Sequence, residues 1–204
     1  MDAAPTAGRG TLLRRLYDWT MGLAAHPRAG LALFLVAFVE SSVFPIPPDV
    51  MLIPLILAAR HKAFHYVAIA TAGSVLGGIA GYAIGWGMFE SVGRPILAFY
   101  GYAEQFHEFA ALYNEQGGWI VSMAGLTPFP YKVITIASGA TGLDLDTFVV
   151  SSVLSRGARF LIVGALLWRF GPPIRGFIER NLGWLTVVFF VLLVGGFVAL
   201  KYLV

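Results

Sequence analysis

From His65 to Phe89 the chain runs for 25 positions without an Asp, Glu, Lys or Arg, and from Leu182 to Leu200 it does so for 19. A helix crossing the roughly 30 Å hydrocarbon core of a bilayer needs about 20 predominantly apolar residues. Both runs predict transmembrane helices. Inside lipid every backbone polar group must be satisfied, so irregular backbone is tolerated only where it is buried in protein or lines a cavity. Composition agrees: 58% of the 204 residues are hydrophobic, 12% are charged and the mean hydropathy is +0.77. That is far more apolar than an ordinary globular domain. It leaves no room for a soluble catalytic domain and predicts one all-α membrane domain. With no cysteine there is no disulfide and no thiolate metal site. His26, His61, His65 and His107 are dispersed, so neither a metal nor another cofactor is expected. The first 28 residues are polar and basic and lack the apolar region of a secretory signal.

The net charge of +3 is distributed by loop, which argues against a nucleic-acid partner. Arg9, Arg14, Arg15 and Arg28 precede the first apolar run, Arg60 and Lys62 follow it, and Arg169, Arg175 and Arg180 form a third group. Glu90, Glu104, Glu108 and Glu115 face a single base, Arg94, and the turn at Asp144 and Asp146 has none. Basic loops lie in the cytoplasm. The bias therefore predicts a multi-pass protein with its N-terminus, the 60–62 turn and the 169–180 loop inside, and with 90–117 and 144–146 outside.

That topology makes "FPIPPDVMLIPL", Phe44 to Leu55, informative. The apolar stretch from Ala29 to Ala59 begins and ends on the same side, and neither of its halves comfortably spans the membrane at 1.5 Å per residue. A re-entrant hairpin with its tip near Pro45–Asp49 satisfies both length and charge. "TPFPYKVITIAS", Thr127 to Ser138, has the same form, entered from the opposite side. The two are related at a constant offset of 83: Pro45 with Pro128, Pro47 with Pro130, Val50 with Val133, Ile53 with Ile136 and Gly81 with Gly164, while Asp49 falls on Lys132. The expected fold is an inverted repeat of two opposed re-entrant hairpins, with full crossings near 65–89, 147–168 and 182–200. Its parts are a basic segment 1–28, repeat one at 29–89, an interfacial linker 90–117, repeat two at 118–170 in a membrane domain ending near 182, and a last helix in 183–204. Short, proline-interrupted apolar segments at corresponding positions of two halves point to a transport site near the midplane.

Five charges fall inside this domain: Glu40 and Asp49 in the first half, and Lys132, Arg156 and Arg159 in the second. Each unpaired charge at the bilayer centre costs about 2.5–3.5 kcal/mol on insertion scales, so the halves must bring them together. Arg156 and Arg159, three residues apart, share a helix face. Two readings follow. In one, Glu40–Arg and Asp49–Lys pairs are internal struts. In the other, the surplus base and two helix N-termini, beginning near Pro48 and Tyr131, form an anion site. Lys132 opposes the dipole of its own helix, which calls for a counter-charge from the other half or from a phosphate.

"FVESSVFPIPPDVMLIPL", "GLTPFPYKVITIASGATGL" and "SRGARFLIVGALLW" resemble the DedA (VTT-domain) family of bacterial inner-membrane proteins, in its YqaA-type branch, over about 15–182. The resemblance implies transport or scrambling of a phosphate-bearing lipid, a phospholipid or a polyprenyl phosphate, in the inner membrane, often coupled to protons. It implies that Glu40 and Asp49 match the embedded acids of the first hairpin. The chain departs from the family pattern at the second hairpin, where an arginine is expected on each side of the proline tip. Gly125 and Thr127 occupy the approach, and Lys132 is the base nearest the tip, so Arg156 and Arg159 would supply the missing charge.

Two features complete the reading. Gly73, Gly77, Gly81 and Gly85 form a small-residue face for close packing. Phe99, Tyr102, Phe106, Phe109 and Tyr113 form the apolar stripe of an interfacial amphipathic helix. No nucleophile motif or phosphate loop is present, so the expected role is non-enzymatic; an enzyme acting on lipid head groups, or an assembly factor for envelope integrity, are the alternatives. A homo-oligomer is compatible with all three.

Overall fold

The computed structural model describes residues 28–44, 47–127, 129–171 and 173. Among these every element is helical: α1 Ala29–Ser42, α2 Asp49–Ala58, α3 Ala63–Met88, α4 Arg94–Tyr100, α5 Ala103–Leu126, α6 Tyr131–Ala140 and α7 Leu145–Gly171. A 3₁₀ turn, Arg60–Lys62, leads into α3, and a π-helical turn, Phe89–Gly93, joins α3 to α4. Two helical stretches are long and apolar enough to cross a membrane, Arg60–Tyr100 and Leu145–Gly171. The expected crossing at 182–200, the N-terminal segment and the tip residues Pro45 and Pro128 lie outside the described residues.

Prolines set the breaks. α1 ends before the 45–48 segment, and Pro48 caps the start of α2 without donating an N–H where none is needed. Pro130, in an extended conformation, does the same for α6. At 1.5 Å per residue the 10-residue α2 and α6 are each about 15 Å long, half the hydrocarbon thickness. The 26-residue α3 and 27-residue α7 reach about 40 Å. The order arm, break, short helix, long helix thus occurs twice, as α1–α2–α3 and α5–α6–α7.

Close contacts give the helix directions. Gly30 lies against Ile69, Gly73 against Phe34, Gly77 against Phe38 and Gly81 against Ser41, so α1 and α3 run the same way. Gly118 meets Thr147 and Ser151, and Gly125 meets Ser155, so α5 and α7 also agree. α7 opposes α3, because Phe148 lies at Gly78, Gly157 at Thr71 and Gly164 at Val67. α6 follows α3, with Tyr131 and Thr135 at Gly78 and Ile136 and Ala140 at Gly85. The expected glycine face is real packing surface. Cβ atoms at Gly77 and Gly85 would stand 2.1 Å from the Phe38 carbonyl and 2.0 Å from the Ile136 carbonyl, so α3 is the axis on which α1 and α6 both seat.

Two apolar cores occupy opposite ends of this bundle. One gathers Leu33, Leu52, Leu55, Ile56, Val67 and Phe160; the other gathers Tyr113, Val121, Tyr131, Leu143 and Phe148. Between them lies a layer of buried polar side chains, with Ser74 on α3 between Ala70 of the first core and Ile79 of the second. Outward, α1 exposes Leu31, Leu35 and Val39, and α7 exposes Val150, Leu154 and Leu161. Such continuous apolar surface suits lipid rather than water. The described acids other than Glu40 and Asp49 all fall near the α3–α4 junction, on α5, or at Asp144 and Asp146 around the start of α7. Arg60, His61, Lys62, His65 and Arg169 sit at the opposite end of α3 and α7.

The 90–117 region differs in detail from the single amphipathic helix expected. Gly101, at φ 74°, ends α4 in the left-handed conformation that glycine adopts without strain, splitting the aromatic stripe into two helices. α5 then runs unbroken through the expected boundary at 117/118, because Gly117 and Gly118 are packed against Leu143 and against Thr147 and Ser151. Phe99 and Tyr102 are exposed, whereas Tyr113 is turned inward onto Ser138, 2.9 Å away.

Candidate functional site

The breaks bring all five embedded charges into one polar layer. Glu40, near the end of α1, accepts from Arg156 Nη2 at 3.1 Å. Asp49, the first residue of α2, accepts from Arg159 Nη2 at 2.6 Å. The acids of the first unit are therefore both paired with α7 of the second. The Asp49–Lys pair expected from the sequence does not form. Lys132 sits in the first turn of α6, and its Nζ donates to the Val43 carbonyl at the end of α1, 3.2 Å away. Opposition between Lys132 and its own helix dipole is thus offset by the negative C-terminus of another helix. No acid of the first unit takes part in that contact.

Arg156 and Arg159 share a face but differ in environment. Arg156 is fully buried, with 0% of its surface exposed. Its guanidinium lies between the rings of Tyr131 and Phe160, 5.0 and 4.7 Å from their centroids, close enough for cation–π attraction. Its Nε donates to Ser74 Oγ at 2.6 Å. Arg159 is partly accessible; it forks between Asp49 and the Thr127 carbonyl, the latter at 3.1 Å. That carbonyl closes α5, so each arm's C-terminus is capped by a cation of the second unit.

A hydroxyl network surrounds the charges. Ser41 Oγ donates to Glu40 Oε2 at 3.0 Å and lies 2.7 Å from Ser74 Oγ. Thr135 donates to the Ser41 carbonyl at 3.0 Å, directly beside Gly81. Tyr131 donates to Ser152 at 2.5 Å. Among the described residues two buried atoms of the layer have no hydrogen-bond partner, Asp49 Oδ1 and Arg156 Nη1. Buried polar atoms left so are uncommon and mark places where an ordered water, a ligand or a rearrangement completes the bonding.

Of the tip residues, Pro47, Pro48, Pro130 and Tyr131 are described. Pro48 and Tyr131 are buried, Tyr131 as a wall of the Arg156 box. Ser41, Ser74, Thr135 and Phe160 were not legible as site residues. Ser74 stands in "AGSVLGG", where a small residue reads as helix packing, and its meeting with α1 and α7 is a tertiary fact. Among the described residues no group of three or more His, Cys, Asp or Glu could hold a metal ion.

Two long apolar helices, exposed apolar faces and a charged layer held between two cores point to an all-helical membrane protein. The VTT domain matches residues 46–169, and the chain belongs to that family, the DedA family. It is 38% identical over 177 residues to an uncharacterized protein of Haemophilus influenzae, covering 85% of this chain and 91% of that one. It is 35% identical over 177 residues to an uncharacterized homologue from Histophilus somni, covering 85% and 92%. No solved structure matches it significantly.

Proposed function

We propose that this protein moves a phosphate-bearing lipid across the bacterial inner membrane, with the polar layer as its headgroup site. One observation carries the reading. Both acids of the layer are consumed by Arg156 and Arg159, and Lys132, partly accessible at the junction of the two breaks, keeps a positive charge answered among the described residues only by a carbonyl. A lipid phosphate supplies the missing negative charge, and its acyl chains remain in the bilayer outside exposed Val43, Phe44, Val50 and Val133.

The helix directions support an inverted repeat. In the first unit α1 and α3 agree; in the second α5 and α7 agree; and the two pairs are opposed. Short α2 and α6 then return as the second limbs of two re-entrant hairpins, with Asp49 and Lys132 of their first turns at the layer between the cores. The basic end carrying Arg60, Lys62 and Arg169 is placed in the cytoplasm by the positive-inside rule. Protonation of Glu40 or Asp49 would open an ion pair, which gives the coupling step.

Complete pairing of both acids also favours a second reading, in which the charges are struts and the protein has no substrate. Lipids that co-purify with the protein distinguish the two. Mass spectrometry should find a phosphate-bearing lipid enriched over the bulk membrane with wild type and lost with Lys132→Ala. A lipid profile equal to the bulk membrane in both would favour struts.

A further inference from the structure

Arg156 is gripped from two directions. Each serine hydroxyl has one hydrogen. Ser41 gives its hydrogen to Glu40, and Arg156 Nε gives its own to Ser74, so Ser74 must give its hydrogen to Ser41. The result is a closed ring: Arg156 Nε to Ser74, Ser74 to Ser41, Ser41 to Glu40, and Arg156 Nη2 to the same carboxylate oxygen. The two grips differ in kind. The Nη2 bond is charge-assisted and weakens when the Glu40 carboxylate is neutralised. The Nε bond needs only a lone pair on Ser74, which is fully buried on the central helix. Among the described residues, the other charged or titratable groups bearing on the guanidinium are Tyr131 from α6, Asp49 from α2 and the like-charged Arg159 from α7.

We propose that Ser74 is a positioning residue that holds Arg156 in place when the Glu40 ion pair opens. The freed Nη2 and the unpartnered Nη1 are then presented together to an anion instead of being withdrawn along the helix. This rests on the phosphate-site reading above and assigns the fixed donor within it. Arg156 becomes available only in the opened state, whereas Lys132 is reachable in the closed one.

The test uses the full chain in nanodiscs with ¹⁵N-labelled arginine. The Arg156 Nε–H signal is identified by its loss in Arg156→Lys, and its side-chain order is measured. Arg156 should stay rigid in Glu40→Gln, where Ser74 holds it, and in Ser74→Ala, where Glu40 holds it, and become mobile only in the double variant. Ser74→Cys, of similar size but a poor acceptor, should repeat the Ser74→Ala result in a core that is not emptied. Mobility in Glu40→Gln alone, or rigidity in both Glu40→Gln/Ser74→Ala and Glu40→Gln/Ser74→Cys, overturns the proposal. Titration with inorganic phosphate is the second readout. Losing the positioning bond should weaken binding by about tenfold or more between Glu40→Gln and Glu40→Gln/Ser74→Ala. If the order parameters follow the expected pattern and phosphate binds neither variant, the positioning role stands and the phosphate reading is what fails.

Discussion

Replacing Glu40 by Leu isolates what burial does to an ion pair. The pair with Arg156 is 3.1 Å long, with side chains 12% and 1% exposed. At an effective dielectric of about 20 its gross attraction is ~5 kcal/mol. Removing the acid leaves a guanidinium sealed between Tyr131 and Phe160 with Ser74 as its remaining hydrogen-bond partner. Such stranded charges cost about 3–5 kcal/mol, or roughly two to nearly four powers of ten in the folding equilibrium. Glu90–Arg94 is the control: it is shorter, 2.8 Å, but its side chains are 68% and 61% exposed. An exposed i,i+4 pair contributes about 0.3–0.5 kcal/mol, so distance alone would rank the two wrongly. Glu40→Leu/Arg156→Met removes both charges and should recover most of the loss, because Ser41 and Ser74 can still bond to each other. Reversible unfolding in bicelles gives the three values. A Glu40→Leu cost no larger than that of Glu90→Leu, or a double variant less stable than the single, would refute the reasoning.

Four further outcomes are expected. Gly85→Ala, whose methyl would meet the Ile136 carbonyl at 2.0 Å, should destabilise by about 1–3 kcal/mol, while Gly87→Ala, with nothing within 4 Å, should be neutral or stabilise by up to about 1 kcal/mol; the same unfolding assay reads both. Arg159→Lys should weaken phosphate-lipid binding, measured on vesicles, more than Lys132→Arg does, because a point charge cannot fork between Asp49 and Thr127. Asp144 accepts from the Thr147 N–H and hydroxyl at the start of α7, which holds its carboxyl below the usual range; its contribution is present above the unfolded-state value of 3.8 and lost as pH falls through the lower folded value, so the stability gap to Asp144→Ala should close only in strong acid. In this cysteine-free chain, Ala103→Cys and Leu145→Cys should react with an impermeant thiol reagent from outside the cell and His61→Cys only from inside; the reverse pattern would overturn the topology.

Length, breaks and charge signs were readable because they are local. A proline triplet in an apolar run, the short apolar limb from Val50 to Ala59 and an uncharged run from His65 are each visible without neighbours. Partner choice was readable for Glu40, which meets an arginine as expected, but not for Asp49. Asp49 aligns with Lys132 in the repeat, yet meets Arg159, because α7 runs beside α2 while α6 docks on α1 and α3. Repeat symmetry relates equivalent positions and says nothing about which helices touch. The same limit hid Ser74 and Thr135, whose hydroxyls matter only because the glycines of α3 bring α1 and α6 within hydrogen-bond reach. The break at Gly101 was hidden differently: the aromatic stripe keeps its helical spacing across a residue whose φ is positive.

The central claim, that the polar layer carries a lipid phosphate across the membrane, is tested most directly by flipping in reconstituted vesicles. The substrates are a fluorescent phospholipid and a polyprenyl phosphate, and the variants are wild type and Lys132→Ala/Arg156→Ala/Arg159→Ala. Wild type should move at least one of the two faster than protein-free vesicles, and the folded triple variant should fall to the protein-free rate. Flipping that survives the loss of all three bases, or that is absent with wild type for both lipids, would contradict it.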